Sequence, residues 1–265
     1  MKIVAGNILA IYQRELQSYF ASPLSYIVAA VFWIIGGFFL SIILLSPQGI
    51  IAQVAAADQM GQQAPVDVPY EFLKIYLGLL GSLSMFILPI LSMGLYAEER
   101  KRGTLELLAT SPMTNWAVAL GKLLAVLTFY ITLLLPLLLC EVVALSASEP
   151  PVQMGVLLLG HGGLVLLAAA ILSLGMFISS LTDSTVLAAI ISFALVLGLW
   201  VVDLIATAVE GWLGATLGHL SLLRHYTDFT QGILDTSGLI LFISYVGLGL
   251  FLTAQSIEAL RFQRS

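Results

Sequence analysis

Residues 24–45 of the chain have the sequence LSYIVAAVFWIIGGFFLSIILL, in which no Asp, Glu, Lys or Arg occurs. At about 1.5 Å per residue, a helix of this length extends about 33 Å, enough to cross a hydrocarbon core about 30 Å thick. Because hydrocarbon offers no hydrogen-bond partners, a segment that crosses it must satisfy every backbone N–H and C=O internally. This stretch therefore predicts a transmembrane helix.

Five further uncharged, apolar stretches follow along the chain. Only 9% of the 265 residues are charged and 60% are hydrophobic, whereas a soluble domain carries about 25% charged residues. We therefore predict an all-α integral membrane protein in which one domain, residues 1–265, contains six transmembrane helices. The predicted spans are residues 24–45, 73–95, 116–140, 155–178, 185–203 and 236–258.

The distribution of basic residues predicts the orientation of these spans. Cytoplasmic loops of membrane proteins carry an excess of Lys and Arg. With a cytoplasmic N-terminus, the outside segments keep only Lys74 and Arg224 of the ten basic residues. We therefore expect a multi-pass protein with both termini in the cytoplasm.

The N-terminal segment, residues 2–20, has an amphipathic helical pattern. Its apolar residues, among them Tyr19 and Phe20, recur at steps of three and four, and polar residues such as Arg14 occupy the other side. Such a helix lies in the membrane interface. Ser22-Pro23 is expected to end it, because proline is tolerated in the first turn of the next helix.

Two of the outside segments are long enough to need an interpretation. Residues 46–70 are expected to form a polar, flexible loop. Residues 207–232 mix leucines with charged residues and are too short to span twice. They favour a re-entrant or interfacial pair of short helices, and an ordinary amphipathic surface loop is the alternative.

The segment between the second and third spans, residues 96–113, is YAEERKRGTLELLATSPM. It contains three consecutive basic residues, three glutamates and a group of leucines. Gly103-Thr104 can end one helix and begin another, with Thr104 as the N-cap. A loop that only fixes topology would explain the basic residues. The glutamates and leucines favour a docking surface for a cytoplasmic partner.

Residues 98–112 resemble the cytoplasmic signature of ABC-2 type permeases. The residues that fit this signature are Glu99, Gly103, Thr104, Thr110, Ser111 and Pro112. The start of the chain, Arg14–Pro23, and the segment His225–Asp235 are similar to the gliding-motility-associated branch of that family. Residues 179–182 resemble the family's short loop between spans four and five.

This resemblance implies a type V ABC exporter-like fold and a permease subunit of an ATP-driven transporter in a bacterial inner membrane. Two such subunits, either identical or paralogous, would pair and bind two ATPase subunits. Residues 96–113 would form the coupling helix. Its expected ATPase-contact residues are Glu98, Glu99, Arg100, Gly103, Thr104, Leu105, Glu106, Leu107, Leu108 and Pro112. The segment 2–20, with Arg14, Glu15, Tyr19 and Phe20, would be the family's interfacial connecting helix.

The sequence predicts no catalytic role for this chain. A phosphate-binding loop requires G-x-x-x-x-G-K-[ST], and the only Gly-Lys pair, Gly121-Lys122, has Trp116 and Leu123 at the other required positions. We expect no cofactor or metal on this chain and ATP with Mg²⁺ on the partner ATPase. Membrane lipids are expected partners, and no basic stripe suggests nucleic-acid binding.

Three of the ionisable residues within or near the spans are His161, Glu141 and Asp203. His161, in the fourth span, could bind substrate or relay a proton, but a neutral histidine bonded to a neighbouring helix is favoured. Glu141 and Asp203 are expected at the membrane boundary, where a charge costs less than at the centre.

The scarcity of acids at the span centres argues against the main alternative function, an ion-coupled secondary transporter. An intramembrane enzyme is a third possibility, and no H-E-x-x-H or G-x-S-x-G motif supports it.

Overall fold

The computed structural model describes residues 2–59, 68–105, 113–146 and 153–262. The regular structure in these ranges is helical throughout. The coupling-helix residues Glu106, Leu107, Leu108 and Pro112 lie outside the described residues. The helices are α1 (Lys2–Ala21), α2 (Pro23–Leu45), α3 (Ile50–Gln59), α4 (Val68–Ser92), α5 (Gly94–Lys101), α6 (Asn115–Ser146), α7 (Met154–Leu181), α8 (Thr185–Ala208), α9 (Trp212–Leu220), α10 (Leu222–Thr230) and α11 (Thr236–Phe262).

Six segments in the described ranges are long and apolar enough to cross a membrane, which confirms the predicted all-α class with six candidate spans. They are Pro23–Ala56, Val68–Lys101, Asn115–Ser146, Met154–Leu181, Thr185–Ala208 and Thr236–Ala259. Several continue beyond the predicted limits, because polar flanking residues can extend a helix past the hydrocarbon without loss of backbone hydrogen bonds.

Helix α7 forms the centre of the bundle. In its most apolar stretch of 18 residues, 78% of the residues are buried inside the protein. The corresponding share is 17% for α8 and 22% for the first span. Small residues let its neighbours approach closely, as membrane helices require. A Cβ added to Gly163 would lie 2.8 Å from Phe229 Cβ, and one on Gly249 of α11 would lie 2.6 Å from the Ser173 carbonyl carbon. The weakly buried helices α2 and α8 present their apolar faces to the exterior of the chain.

The first break in the chain comes at Ser22, as predicted. Ser22 is extended, with φ −85° and ψ 126°, and Pro23 occupies the first turn of α2. Helix α1 packs along α6, where a Cβ on Gly121 would lie 2.9 Å from Ile11 Cγ2. The N-terminal helix is therefore part of the bundle as well as amphipathic.

The segment 46–70 differs from the flexible loop that the sequence predicts. Helix α3 occupies Ile50–Gln59, and α4 already begins at Val68. Gly49 N donates to Ser46 O at 2.7 Å, which turns the chain before α3 begins. The alanines of this segment explain the difference, because alanine has the highest intrinsic helix propensity.

The segment 207–232 contains two short helices, α9 and α10, joined at Ser221. The Ser221 hydroxyl donates to Asp203 Oδ1 of α8 at 2.5 Å and accepts from Arg224 N at 3.1 Å. Helix α10 buries Tyr226 and Phe229, whereas Trp212 of α9 is 76% exposed. Helix α10 therefore attaches the pair to the bundle, and α9 packs on the end of α8, where a Cβ on Gly214 would lie 3.2 Å from Ala206 O.

Glu141, which the sequence predicts at the membrane boundary, is buried between helices, and its depth in the membrane stays a prediction. It is 0% exposed on α6, and its Oε1 atom lies 3.3 Å from His161 Nε2 of α7. Two features explain the burial: α6 continues to Ser146, and a polar partner on the adjacent helix faces the carboxylate.

Candidate functional site

The region where the predicted cytoplasmic segment meets the spans is the candidate site. Helix α5 follows α4 after a break at Met93 and ends at Lys101. Gly103 then adopts a φ of +69°, a left-handed conformation that glycine takes without steric cost. The Thr104 hydroxyl donates to Glu99 O at 3.2 Å, so it bonds a backbone carbonyl in the last turn of α5. The residues that a Thr104 N-cap would bond, 106 and 107, lie outside the described residues.

Lys122 of α6 lies at the centre of this region. Its side chain is 2% exposed, and its ammonium Nζ lies 2.9 Å from Glu15 Oε1 of α1 and 3.1 Å from Glu99 Oε1 of α5. The Nζ atom also lies 5.0 Å from the centre of the Tyr96 ring. We call Arg14, Glu15, Tyr96, Glu99 and Lys122 the Lys122 cluster. It joins three helices that are far apart in sequence.

The charges of the Lys122 cluster balance. Arg14 Nη2 lies 3.8 Å from Glu99 Oε1, so two cations face two carboxylates. Because the Arg14 side chain is 70% exposed, solvent screens this outer pair, which is worth less than about 1 kcal/mol. The inner contacts of Lys122 are buried, and removing one partner of a buried pair costs about 3–5 kcal/mol. Lys122 is therefore the residue on which the cluster depends.

A second set of contacts attaches α5 to the end of α7. The Ser179 hydroxyl accepts from Tyr96 N and Ala97 N, each at 3.0 Å, and donates to Met93 O at 2.8 Å. Tyr96 N is among the first N–H groups of α5, which lack an intrahelical acceptor, and Ala97 N follows it. Arg100 Nη1 donates to Ser180 O at 2.7 Å, a favourable position for a cation at the C-terminal end of α7.

The aromatic residues predicted for the interfacial helix have different surroundings. Tyr19 donates its hydroxyl to Leu91 O at 2.8 Å and stacks on Phe129 with ring centres 5.2 Å apart. Burial, with smaller contributions from Glu15 and Glu98, raises the pKa of the Tyr19 hydroxyl well above its ordinary value, so it remains a donor. Phe20 meets Phe129 edge-on but is largely exposed.

A polar cavity of about 260 Å³ lies beside the Lys122 cluster. It is bounded by α1, the first turns of α2, the end of α4 and α5. Its charged lining residues are Arg14, Glu15, Glu98, Glu99, Arg102 and Lys122. These charges sum to zero, so the cavity suits water or a group without net charge.

The structure brings some of the predicted site residues together and separates others. Arg14, Glu15 and Glu99 meet in the Lys122 cluster. Glu98 is exposed and pairs with Arg102 at 3.4 Å. Leu105 is 3% exposed, so its side chain packs within this chain, and its contact with an ATPase stays a prediction.

Sequence reasoning missed Lys122 and Ser179 as members of the site. Lys122 contributed only to the count of basic residues on one side and to the rejected phosphate-binding loop. One signal was available: Lys122 lies six residues inside the predicted span 116–140, and an ionisable residue within a span indicates a functional role with a nearby partner. No comparable signal marks Ser179, because serine is common in membrane helices.

Comparisons with known proteins indicate the family of the chain. Residues 56–214 match the family model described as "ABC-2 family transporter protein". The chain is 31% identical over 143 residues to the "Probable multidrug ABC transporter permease YbhR" of Escherichia coli K12, and equally to that of Escherichia coli O157:H7. The match covers 52% of this chain but only 37% of the length of these relatives. Neither comparison tests the narrower resemblance to the gliding-motility-associated branch, which stays a prediction.

Proposed function

The chain belongs to the ABC-2 family of transporter proteins, and from this membership we propose that it is the permease subunit of an ATP-driven exporter. In this proposal a separate ATPase subunit, present in two copies, binds ATP and Mg²⁺ and hydrolyses the nucleotide. A second permease, identical or paralogous, completes the pathway through the membrane. The relatives that carry the word "multidrug" in their names make small apolar compounds the first substrates to test.

One observation carries this proposal: Lys122 holds the predicted cytoplasmic segment to the spans. Helix α5 contacts α6 and α1 through the Lys122 cluster and contacts α7 through Ser179 and Arg100. A partner that moves α5 must therefore move α1, α6 and α7 with it or break buried polar contacts. Breaking such contacts is costly in a medium of low dielectric constant, which favours movement as a unit.

The exposed residues of α5 supply a surface for such a partner. Glu98, Lys101 and Arg102 are exposed, whereas Tyr96 and Ala97 are buried. The charged face of this helix can therefore dock a soluble protein, while its buried face is fixed to the bundle. In this proposal the surface and both termini face the cytoplasm at a bacterial inner membrane, which the distribution of basic residues supports.

The test begins with purification of the tagged protein from its native membranes. We expect an ABC ATPase to co-purify and its hydrolysis rate to respond to the permease in liposomes. The double variant Lys101→Glu/Arg102→Glu reverses the docking charges without disturbing a buried group, and it is expected to lose the ATPase. Lys74→Glu, a charge reversal at an exposed residue near the opposite end of α4, is the matched control.

The two results that would overturn the proposal are distinct. Retention of the ATPase by the Lys101→Glu/Arg102→Glu variant would show that α5 is not the docking surface. Substrate movement by the purified chain under a pH gradient, with no ATPase present, would show instead an ion-coupled secondary transporter.

A further inference from the structure

A buried carboxyl–imidazole pair lies between α6 and α7, away from the Lys122 cluster. Glu141 is 0% exposed and His161 is 6% exposed. Glu141 Oε1 lies 3.3 Å from His161 Nε2, an ion-pair distance, although the two atoms are not aligned as a good hydrogen bond. Within the described ranges, Glu141 Oε2 has no hydrogen-bond partner. The proposed transport function makes no use of this pair.

The other nitrogen of His161 fixes the protonation of the ring. His161 Nδ1 lies 3.0 Å from Leu157 O, the carbonyl four residues earlier on α7. A carbonyl oxygen can only accept, so Nδ1 must carry a hydrogen. In a neutral imidazole, Nε2 would then be an acceptor, and it would face a carboxylate that can also only accept.

This conflict is removed by one additional proton. With a proton on Nε2 the pair is an imidazolium and a carboxylate, and with a proton on the carboxyl group both partners are neutral. Either form has no net charge. Without the proton, a bare carboxylate would remain buried and unpaired, which a low-dielectric interior strongly disfavours.

A larger ligand does not fit this site. Glu141 is completely covered, so no space remains beside the carboxylate for an organic cation. No group of three His, Cys, Asp or Glu residues able to hold a metal ion occurs among the residues that the structure describes. A proton is the one cation that requires neither a cavity nor further ligands.

The other ionisable groups that the structure places around Glu141 supply no counter-charge to it, and His225 of α10, also buried, lies against Gly238 of α11. Tyr76 of α4 and Tyr226 of α10 are near enough to interact electrostatically with Glu141, and both donate their hydroxyls to backbone carbonyls, those of Gly36 and Leu77. Tyr245 of α11 donates to Leu220 O, and Asp203 of α8 accepts from Ser221. Cys140 precedes Glu141 on α6 and is exposed.

We propose that Glu141 and His161 form a binding site for one proton, which the folded bundle holds between Oε1 and Nε2 and seals from water. The site joins spans three and four. It gives the protein an H⁺-binding centre independent of the nucleotide-driven function.

The experiment measures thermal unfolding of the full chain in lipid nanodiscs across pH 4–9, with the Glu141→Gln/His161→Gln double variant as the reference. Unfolded glutamate and histidine titrate at about pH 4.3 and 6.5. If the folded pair keeps one proton, wild type is most stable between these values. Above about pH 6.5 the unfolded chain binds one proton fewer than the folded chain, so the folding constant falls about tenfold per pH unit.

Each single variant has its own expected profile. In Glu141→Gln, His161 stays neutral in the folded bundle, so stability rises with pH up to about 6.5 and is flat above it. In His161→Gln the buried carboxyl keeps its proton, so the decline begins near pH 4.3. Either variant is sufficient if the other does not fold.

The proposal is overturned if the wild-type profile is flat above pH 6.5, as that of Glu141→Gln is expected to be. It is also overturned if His161→Gln and wild type begin to lose stability at the same pH. The first result would mean that the folded pair holds no proton of its own, and the second that the two residues titrate independently and do not share one proton.

Discussion

The ammonium of Lys122, on the third span, lies 2.9 Å from the Glu15 carboxylate, on the N-terminal helix. The two residues are 107 positions apart in sequence. Their contact converts an amphipathic helix, which could lie loosely on a membrane surface, into a fixed part of the bundle. Because Glu99 shares the same ammonium, the contact also includes the segment proposed to receive the ATPase.

Replacement of Lys122 by methionine should destabilise the protein by about 3–5 kcal/mol, because it leaves Glu15 and Glu99 without their common counter-charge. The measurement is the thermal unfolding midpoint in lipid nanodiscs. Lys101→Met is the control, and a change within about 0.5 kcal/mol is expected at that exposed position.

A second comparison separates charge from packing at Lys122. Addition of Glu15→Gln and Glu99→Gln to Lys122→Met should recover part of the lost stability, because no buried charge then remains. No recovery in the triple variant would mean that Lys122 acts through the packing of its alkyl chain.

Ser179→Ala should destabilise the junction of α5 and α7 by about 1–3 kcal/mol, because Tyr96 N and Ala97 N lose their acceptor in a buried position. Hydrogen exchange at these two amides should accelerate and is the direct measurement. Ser82→Ala is the control: that hydroxyl is exposed and bonds only to Gly78 O of its own helix. Unchanged exchange at both amides would contradict the assigned role of Ser179.

Gly249→Ala should cost about 1–3 kcal/mol, because the new methyl group meets the Ser173 backbone of α7 and forces α11 outwards. Gly247→Ala, on the same helix, is the matched control. Nothing lies within 4 Å of a Cβ at that position, so alanine should be neutral or stabilise by up to about 1 kcal/mol through its higher helix propensity. Equal effects of the two substitutions would exclude close packing of α7 and α11.

Ser221→Ala should cost about 1–2 kcal/mol, because Ser221 is the N-cap of α10 and its hydroxyl is also a partner of Asp203. The double variant Ser221→Ala/Asp203→Asn tests the link to α8. If the Asp203 contact contributes, the two single effects should sum to more than the effect of the double variant. Strict additivity would show that Ser221 acts only as a cap.

The sequence by itself determined the class of this protein and the number of its candidate spans. The physical reason is local: residues 24–45 and the five similar stretches contain few charges, and hydrocarbon permits only segments that satisfy their own backbone. The proline at position 23 likewise predicted a break through its own covalent geometry. Residues 50–59 were misjudged because helix propensity in a polar segment is a weak signal next to hydropathy.

Only the tertiary structure decided which polar groups meet. Arg14, Glu15 and Glu99 were singled out from separate motifs, but nothing in a single sequence shows that Lys122 lies between them. The same holds for Glu141 and His161, and for Ser179 and the amides of α5. Each of these contacts joins different helices, so its partners depend on the rotation and depth at which the helices pack. Those are set by the fit of small and large side chains across the whole bundle, as at Gly163 and Phe229.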